Sequence, residues 1–190
     1  KKAELGLCLV MNSGRTGLSL GKDKGPAAAK IARTKYYFDH TEYFKAQLRL
    51  ELWDLQRQAE TLGIKAAARL NGGSDLDWSD IYAEFPAIQF WEYTKRPALA
   101  LKLAALPNVN VTYSYSETTS DRTLAKVQKA GINVAVVFDV KKSKPLPETF
   151  KGLPVIDGDK SDLRFRDKQG AIVGLRFKAT RDKAAKVKVE

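Results

Sequence analysis

Apolar residues recur every three or four positions between Thr41 and Leu62, which predicts an amphipathic helix. Its apolar stripe consists of Phe44, Leu48, Leu52, Leu55, Ala59 and Leu62. Asp39 and Glu42 have the spacing of a capping box at the start, and Gly63 suits the position after the last residue. A helix from about Ala27 to Phe38 is predicted to precede it.

Beyond Gly63, short apolar runs alternate with helical patterns. The predicted strands are Ile64–Leu70, Ile88–Tyr93, Val109–Ser114, Asn133–Phe138, Leu153–Ile156 and Ala171–Phe177. Helices are predicted between the first four strands, over Asp77–Glu84, Ala98–Ala105 and Asp121–Ala130. Strands that alternate with helices indicate right-handed βαβ units. We therefore predict an α/β fold with a mostly parallel sheet of βα repeats, curled into a partial TIM-like barrel, and an irregular, β-containing C-terminal segment.

The 190 residues are predicted to form one domain. Residues 1–26, rich in Gly, Ser and Lys, are interpreted as a mobile segment. Residues 27–140 form the predicted βα core, 141–178 the C-terminal segment and 179–190 a basic tail. No run approaches the roughly 20 apolar residues that span a bilayer, so we expect no membrane partner. The single cysteine, Cys8, favours a reducing compartment, and we expect a cytoplasmic location.

Positive charge is concentrated at the two ends of the chain, whose net charge is +11. The first 40 residues carry 8 basic and 3 acidic side chains, and residues 141–190 carry 14 and 7. The middle, with 11 basic and 12 acidic side chains, is balanced. Clustered positive charge favours a polyanionic partner because neutralised phosphates release counterions, so nucleic acid is the expected partner. The alternative is a solvated, lysine-rich surface.

Polar side chains follow the predicted strands at the ends where ligands bind in parallel α/β sheets. If the sheet curls, these side chains meet at one rim and form a substrate-binding site. The candidates are Arg69, Asn71, Ser74, Asp75, Lys95, Ser114, Ser116, Glu117, Asp157, Asp159 and Asp162.

Carboxylates at this rim suit metal-assisted hydrolysis of a phosphodiester. The candidate catalytic residues are Asp75, Glu117, Asp157 and Asp159. Three of them, Asp75, Glu117 and Asp159, are candidate ligands for Mg²⁺ or Mn²⁺, which prefer oxygen donors. Arg69 and Lys95 are expected to clamp a phosphate. The only histidine, His40, lies far from the strand ends, which argues against a Ser-His-Asp triad or a histidine-rich zinc site.

Each of these residues also has a structural interpretation. Ser74 and Asp75 are good N-caps for the following helix, and Asp157-Gly158-Asp159 is a common turn sequence. Glu117 is suited to the start of a helix, where the dipole favours an acid. A non-enzymatic module that binds nucleic acid or a host protein therefore stands beside the hydrolase hypothesis.

Several motifs, in order along nearly the whole chain, resemble the phage gene-product-88-like domain, a family carried by phages and plasmids. They are Cys8-Leu9, Ser13-Gly14-Arg15, Arg33-Thr34, Arg69-Leu70-Asn71-Gly72, Ser74-Asp75, Gln89-Phe90, Tyr93-Thr94-Lys95, Ser114, Ser116-Glu117, residues 133–138, residues 155–159, residues 162–165, Asp167 and Gly174-Leu175. The resemblance implies a mobile-element protein in a bacterial host. It adds Tyr93 and Arg164 to the candidate substrate-binding residues, and it fixes no activity.

Members of that family usually carry further cysteines upstream of the Cys-Leu pair, whereas Glu4 stands about where one is expected here. A βα array with such cysteines and a later Asn71-Gly72-Gly73 resembles a radical S-adenosylmethionine barrel. That cluster needs three cysteines and this sequence contains one, Cys8, so an iron–sulfur cluster is not expected in this chain.

Overall fold

The computed structural model describes residues 26–177, which belong to two compact units. Described residues 26–51 belong to one unit, and Leu52–Phe177 form the other. The predicted mobile segment with Cys8 and the basic tail lie outside the described residues, apart from Pro26.

Two helices open the described chain, α1 (Pro26–Asp39) and α2 (Thr41–Leu62). The bounds of α2 are those predicted, and Gly63 follows it with a φ of 64°, the left-handed conformation of a helix stop. The predicted capping box is wrong because Asp39 is the last residue of α1. Within the smaller unit, the rings of Tyr37 and Phe44 meet edge to face with centroids 5.4 Å apart.

The larger unit is built on a seven-stranded sheet. In chain order its remaining elements are β1 (Ala67–Ala68), α3 (Ser79–Glu84), β2 (Gln89–Thr94), α4 (Pro97–Ala104), β3 (Val109–Ser114), α5 (Asp121–Lys129), β4 (Asn133–Phe138), β5 (Thr149–Phe150), β6 (Leu153–Asp157), a 3₁₀ turn (Arg164–Arg166) and β7 (Ile172–Arg176). The strand order is β1-β2-β3-β4-β7-β6-β5, and only β5 pairs antiparallel, with β6.

The sheet is open, with β1 and β5 at its edges. The mixed α/β class and the mostly parallel sheet are confirmed, whereas the partial TIM-like barrel is not shown. The first strand is also much shorter than the predicted Ile64–Leu70, because only Ala67 and Ala68 pair with β2. Of the helices within residues 26–177, none has the length and apolar content needed to cross a bilayer.

The two faces of the sheet differ in what covers them. Side chains alternate along β2, so Phe90 and Glu92 project to one face and Trp91 and Tyr93 to the other. Helix α3 packs on the first face, where the Tyr82 ring lies 4.5 Å from that of Phe90. Right-handed connections between neighbouring parallel strands place α4 and α5 on the same side, which we call the helix face.

The other side, which we call the second face, is covered in part by residues 158–170. We call these residues the covering segment. Its 3₁₀ turn contacts β2 and β3, and the Phe165 ring meets that of Trp91 at a centroid distance of 5.5 Å. Val137, in the central strand β4, projects to the second face and is 58% exposed. Asn133 and Ala135, which β4 projects to the same face, are buried, so the exposed part lies toward the carboxyl end of that strand.

Candidate functional site at the carboxyl edge of the sheet

Six of the seven strands run in the same direction, so their carboxyl ends share one edge of the sheet. We call it the carboxyl edge. The predicted strand-end residues lie along it: Arg69 follows β1, Lys95 follows β2, Ser116 and Glu117 follow β3, and Asp159 follows β6. The structure thus brings the candidates to one edge, but in separate groups whose contacts differ.

Arg69 is held in a fixed orientation at this edge. Its guanidinium carbon lies 4.8 Å from the centroid of the Tyr93 ring. Its Nε donates to the Asn71 carbonyl at 3.1 Å, and its Nη1 is 3.3 Å from Asp162 Oδ2. The side chain remains 24% exposed and that of Asp162 is 68% exposed. An arginine stacked on an aromatic ring and partly open to solvent is preorganised to bind an anion.

The pKa of the Tyr93 hydroxyl is raised chiefly by burial. The positive charges of Arg164 and Arg69 lower it, while Asp162 and Asp167 raise it. Tyr93 therefore stays neutral at physiological pH. Its ring can stack against Arg69, and its hydroxyl can form a hydrogen bond with a ligand.

Asn71 organises the loop that follows β1. Its Oδ1 accepts hydrogen bonds from Ser74 Oγ at 2.7 Å, Leu76 N at 3.0 Å and Trp78 Nε1 at 3.2 Å. Its Nδ2 donates to the Leu76 carbonyl. Two predicted substrate-binding residues, Asn71 and Ser74, thus bond to each other within the loop and shape it. The N-cap interpretation of Ser74 is wrong, because the N-cap of α3 is Trp78.

The buried side chain of Glu92 holds the same loop in place through hydrogen bonds to its backbone. Its Oε1 accepts from Leu70 N at 3.2 Å, from Asn71 N at 3.1 Å and from the Tyr82 hydroxyl. Glu92 is 1% exposed, and burial raises its pKa above the usual value, although these hydrogen bonds and Arg69 act to lower it. A carboxylate between the aromatic residues Trp91 and Tyr93 of a strand was the signal for this role.

Asp75 lies beside the end of β2. Its Oδ2 accepts from Lys95 N at 3.2 Å, and its carbonyl accepts from Arg96 Nη1 at 3.2 Å. Its Oδ1 is buried and has no hydrogen-bond partner among the described residues. Asp75 does not cap α3 either: its loop neighbour Asp77 accepts from Ser79 N at 3.0 Å. The exposed Lys95 and Arg96 extend the positive surface that begins at Arg69.

Ser114 and Ser116 lie at the end of β3, in the middle of the carboxyl edge. Ser114 is the last residue of the strand and is half-buried. Ser116 Oγ lies 3.0 Å from Thr118 Oγ1 in the loop that follows. Glu117 is exposed in that loop and does not open α5, whose N-cap is Ser120 with its side chain accepting from Thr123 N.

Asp157 and Asp159 form a second charged group, with Arg176 at the end of β7. Arg176 Nη1 lies 2.9 Å from Asp157 Oδ1 and 3.2 Å from Asp159 Oδ2. The bond from Arg176 holds the pKa of Asp157 below its usual value. Asp159 N also donates to Asp157 Oδ1, so the predicted turn is present. Sequence reasoning did not select Arg176, although its place at the end of an apolar strand was a usable signal.

The predicted metal ligands are not assembled in this structure. Within residues 26–177, no group of three or more His, Cys, Asp or Glu side chains is arranged to hold a metal ion. Asp75 Oδ2 accepts from Lys95 N at the end of β2, and Asp159 Oδ2 accepts from Arg176 N at the end of β7, with two strands between β2 and β7 in the sheet. At roughly 4.8 Å per strand, that order keeps the two carboxylates on the order of 14 Å apart along the edge, which is too far for both to bind one metal ion.

Arg164 lies inside the molecule, between the covering segment and the second face. It is 1% exposed, and its Nη2 donates to the Gly158 carbonyl at 3.2 Å. Its Nη1 pairs with Asp167 Oδ2 at 3.0 Å. A predicted substrate-binding residue is thus enclosed, and in this structure it anchors the covering segment.

Together these features define a mixed α/β protein with an open, mostly parallel sheet and a charged carboxyl edge. The chain belongs to the gene product 88 family, a phage-type family, which it matches over residues 7–190. Comparisons with curated proteins and with solved structures gave no significant match.

Proposed function

We propose that this phage-type protein binds nucleic acid along the carboxyl edge of its sheet, in the cytoplasm of a bacterial host. The observation that carries the proposal is the preorganised Arg69, stacked on Tyr93 and partly exposed at the edge where parallel sheets bind ligands. Arginine and tyrosine planes are surfaces on which unpaired bases stack, and the guanidinium pairs with phosphate.

Further positive charge along the edge supports the proposal. Lys95 and Arg96 follow β2, and Lys141, Lys142 and Lys144 follow β4, all exposed. The N-terminal end of α4 lies at this edge as well, and its dipole favours anions. Only β3 lies between β2 and β4 in the sheet, so a strand of nucleic acid is long enough to contact both basic groups.

Binding of the full chain to a labelled single-stranded oligonucleotide, followed by fluorescence anisotropy, tests this proposal. Arg69→Gln is expected to weaken binding about five- to tenfold, the effect of losing one stacked phosphate-binding arginine. The affinity of the unmodified chain is expected to fall steeply with salt.

The matched control is Arg57→Gln, because Arg57 is an arginine on α2 with a side chain 57% exposed, and its loss removes the same charge. Thermal unfolding of both variants checks that the fold is kept. Equal weakening in the two variants would show that binding follows total charge, and unchanged binding in Arg69→Gln would remove Arg69 from the proposed surface.

Metal-assisted hydrolysis of the bound strand is a second candidate, favoured by the buried and unpartnered Oδ1 of Asp75. A carboxylate oxygen in that state suits a cation. With Mg²⁺ or Mn²⁺ present, Asp75→Asn is expected to lower cleavage about 10- to 100-fold, whereas Asp54→Asn, an exposed control on α2, leaves it unchanged. Gel analysis of the oligonucleotide measures both. Absent or equal cleavage in parent and Asp75→Asn removes this candidate.

A further inference from the structure

A cavity of about 340 Å³ lies at the opposite edge of the sheet from the carboxyl edge. It forms because β3 begins at Val109, whereas β4 begins at Asn133, which pairs with Thr112. The first three residues of β3 therefore have no neighbour on β4, and a notch is left. Its volume is within the range that holds small ligands.

The walls of this cavity are rich in hydrogen-bond acceptors. The C-terminal ends of two helices reach it, through Ala104 at the end of α4 and Ala130 after α5. Helix C-terminal ends present free carbonyl groups and a partial negative charge. Among the described residues that line it, Asp167 has the only charged side chain, and no lysine or arginine is present.

Two of the side chains that line the cavity carry acceptor oxygens. Asn110 Oδ1 is buried and has no hydrogen-bond partner among the described residues. Asp167 is 13% exposed, and its Oδ2 faces Arg164, which leaves the other carboxylate oxygen for a ligand. Phe165 adds an aromatic ring to the same wall, held edge to face against Trp91.

We propose that this cavity binds a guanidinium group. A guanidinium is a planar cation with N–H donors on every side, so it can donate to Asp167 and Asn110 while its plane contacts Phe165. A lysine-type ammonium has no planar face to stack on the Phe165 ring. An anion is disfavoured by Asp167 and by the two helix ends. The group belongs either to a small free guanidinium compound or to an arginine side chain of a peptide. This inference is independent of the nucleic-acid proposal, which concerns the other edge.

Titration of the isotope-labelled full chain with methylguanidinium, followed by ¹H–¹⁵N NMR, tests the inference. We expect saturable shifts in the side-chain amides of Asn110 and Gln169 and in the backbone of Gly131, all of which line the cavity. A dissociation constant of about 1–10 mM is expected for a ligand of so few atoms. Methylurea, which is planar but neutral, is expected to bind at least tenfold more weakly. Equal binding of methylurea, or shifts without saturation, would overturn the proposal.

Substitutions of residues that line the cavity test whether methylguanidinium binds there. Asp167→Asn is expected to weaken methylguanidinium at least tenfold, but it leaves the buried Arg164 without its carboxylate partner and so endangers the fold. Asn110→Ala avoids that problem and is expected to weaken binding about threefold or more. Asp139→Asn, an exposed acid at the other edge, is the control and is expected to have no effect. Unchanged binding in a folded Asn110→Ala variant would contradict the site.

A tripeptide Gly-Arg-Gly, titrated beside methylguanidinium, distinguishes the two sources of the group. Tighter binding of the peptide favours an arginine side chain of a partner. Tighter binding of methylguanidinium favours a small free compound, because the peptide backbone then hinders entry.

Discussion

Glu92 shows how one residue links the interior of this protein to its candidate site. Its single oxygen Oε1 ties the end of β1 to α3 through three hydrogen bonds. Arg69 precedes the two backbone amides that Glu92 holds, so the orientation of Arg69 depends on a side chain that never reaches the surface. Polar groups that are buried in this way specify a loop conformation as long as their partners remain.

Replacement of Glu92 is expected to separate its hydrogen bonding from its charge. Glu92→Ala removes all three acceptor contacts and is expected to lower the free energy of unfolding by about 2–4 kcal/mol. Glu92→Gln keeps an oxygen at the same place and is expected to cost less than about 1.5 kcal/mol near neutral pH. Urea unfolding of the three proteins measures both.

The raised pKa of Glu92 also predicts how stability changes with pH. Burial makes the folded protein hold this proton at pH values where the unfolded chain has lost it. The stability contributed by Glu92 is therefore expected to be full below the ordinary glutamate pKa and to fall as pH rises through the raised pKa. Glu92→Gln lacks this decline. Parallel curves of stability against pH in the two proteins would show that Glu92 does not titrate in this way.

At the scale of elements, the covering segment depends on a close approach at Gly158. A Cβ at this position would lie 2.5 Å from Val173 Cγ1 and 3.0 Å from Arg164 Nη1. The strand β7 and the buried arginine thus leave room only for glycine. The segment is held to the second face by this fit and by the Arg164–Asp167 ion pair.

Gly158→Ala is therefore expected to lower the free energy of unfolding by about 1–3 kcal/mol, since a methyl group must be forced into a filled space. Gly72→Ala is the matched control, because no atom lies within 4 Å of a Cβ built there. It is expected to change stability by less than about 0.5 kcal/mol. Equal effects of the two substitutions in urea unfolding would contradict a tight fit at Gly158.

At the scale of the larger unit, six strands run in the same direction, and this shared direction determines which groups lie at each edge of the sheet. It sends the polar loops to one edge and the C-terminal ends of α4 and α5 toward the other. The carboxyl edge carries both basic and acidic side chains, with exposed cations after β2 and β4, whereas the cavity at the opposite edge is lined by no lysine or arginine among the described residues. The two proposals therefore concern opposite edges of one sheet.

Much of this unit could be predicted from local pattern. The bounds of α2, β3 and β4 agree with the prediction, because each has an uninterrupted apolar period of its own. Strand β5 and the 3₁₀ turn were missed because two or three residues carry no period. The carboxyl edge was predicted from parallel pairing alone. The enclosure of Arg164 was not predicted, because the covering segment that contains Arg164 is distant in sequence from the strands that this segment covers.

The sequence by itself determined the α-helices, the longer strands, the mostly parallel pairing and the polar residues that follow these strands, because these features depend on periodicity and on short connections. Only the tertiary structure decided that β7 inserts between β4 and β6, so that Arg176 neutralises Asp157 and Asp159 and these acids lie far from Asp75. Contacts between distant strands follow from the order in which the whole sheet packs, and no local pattern encodes that order.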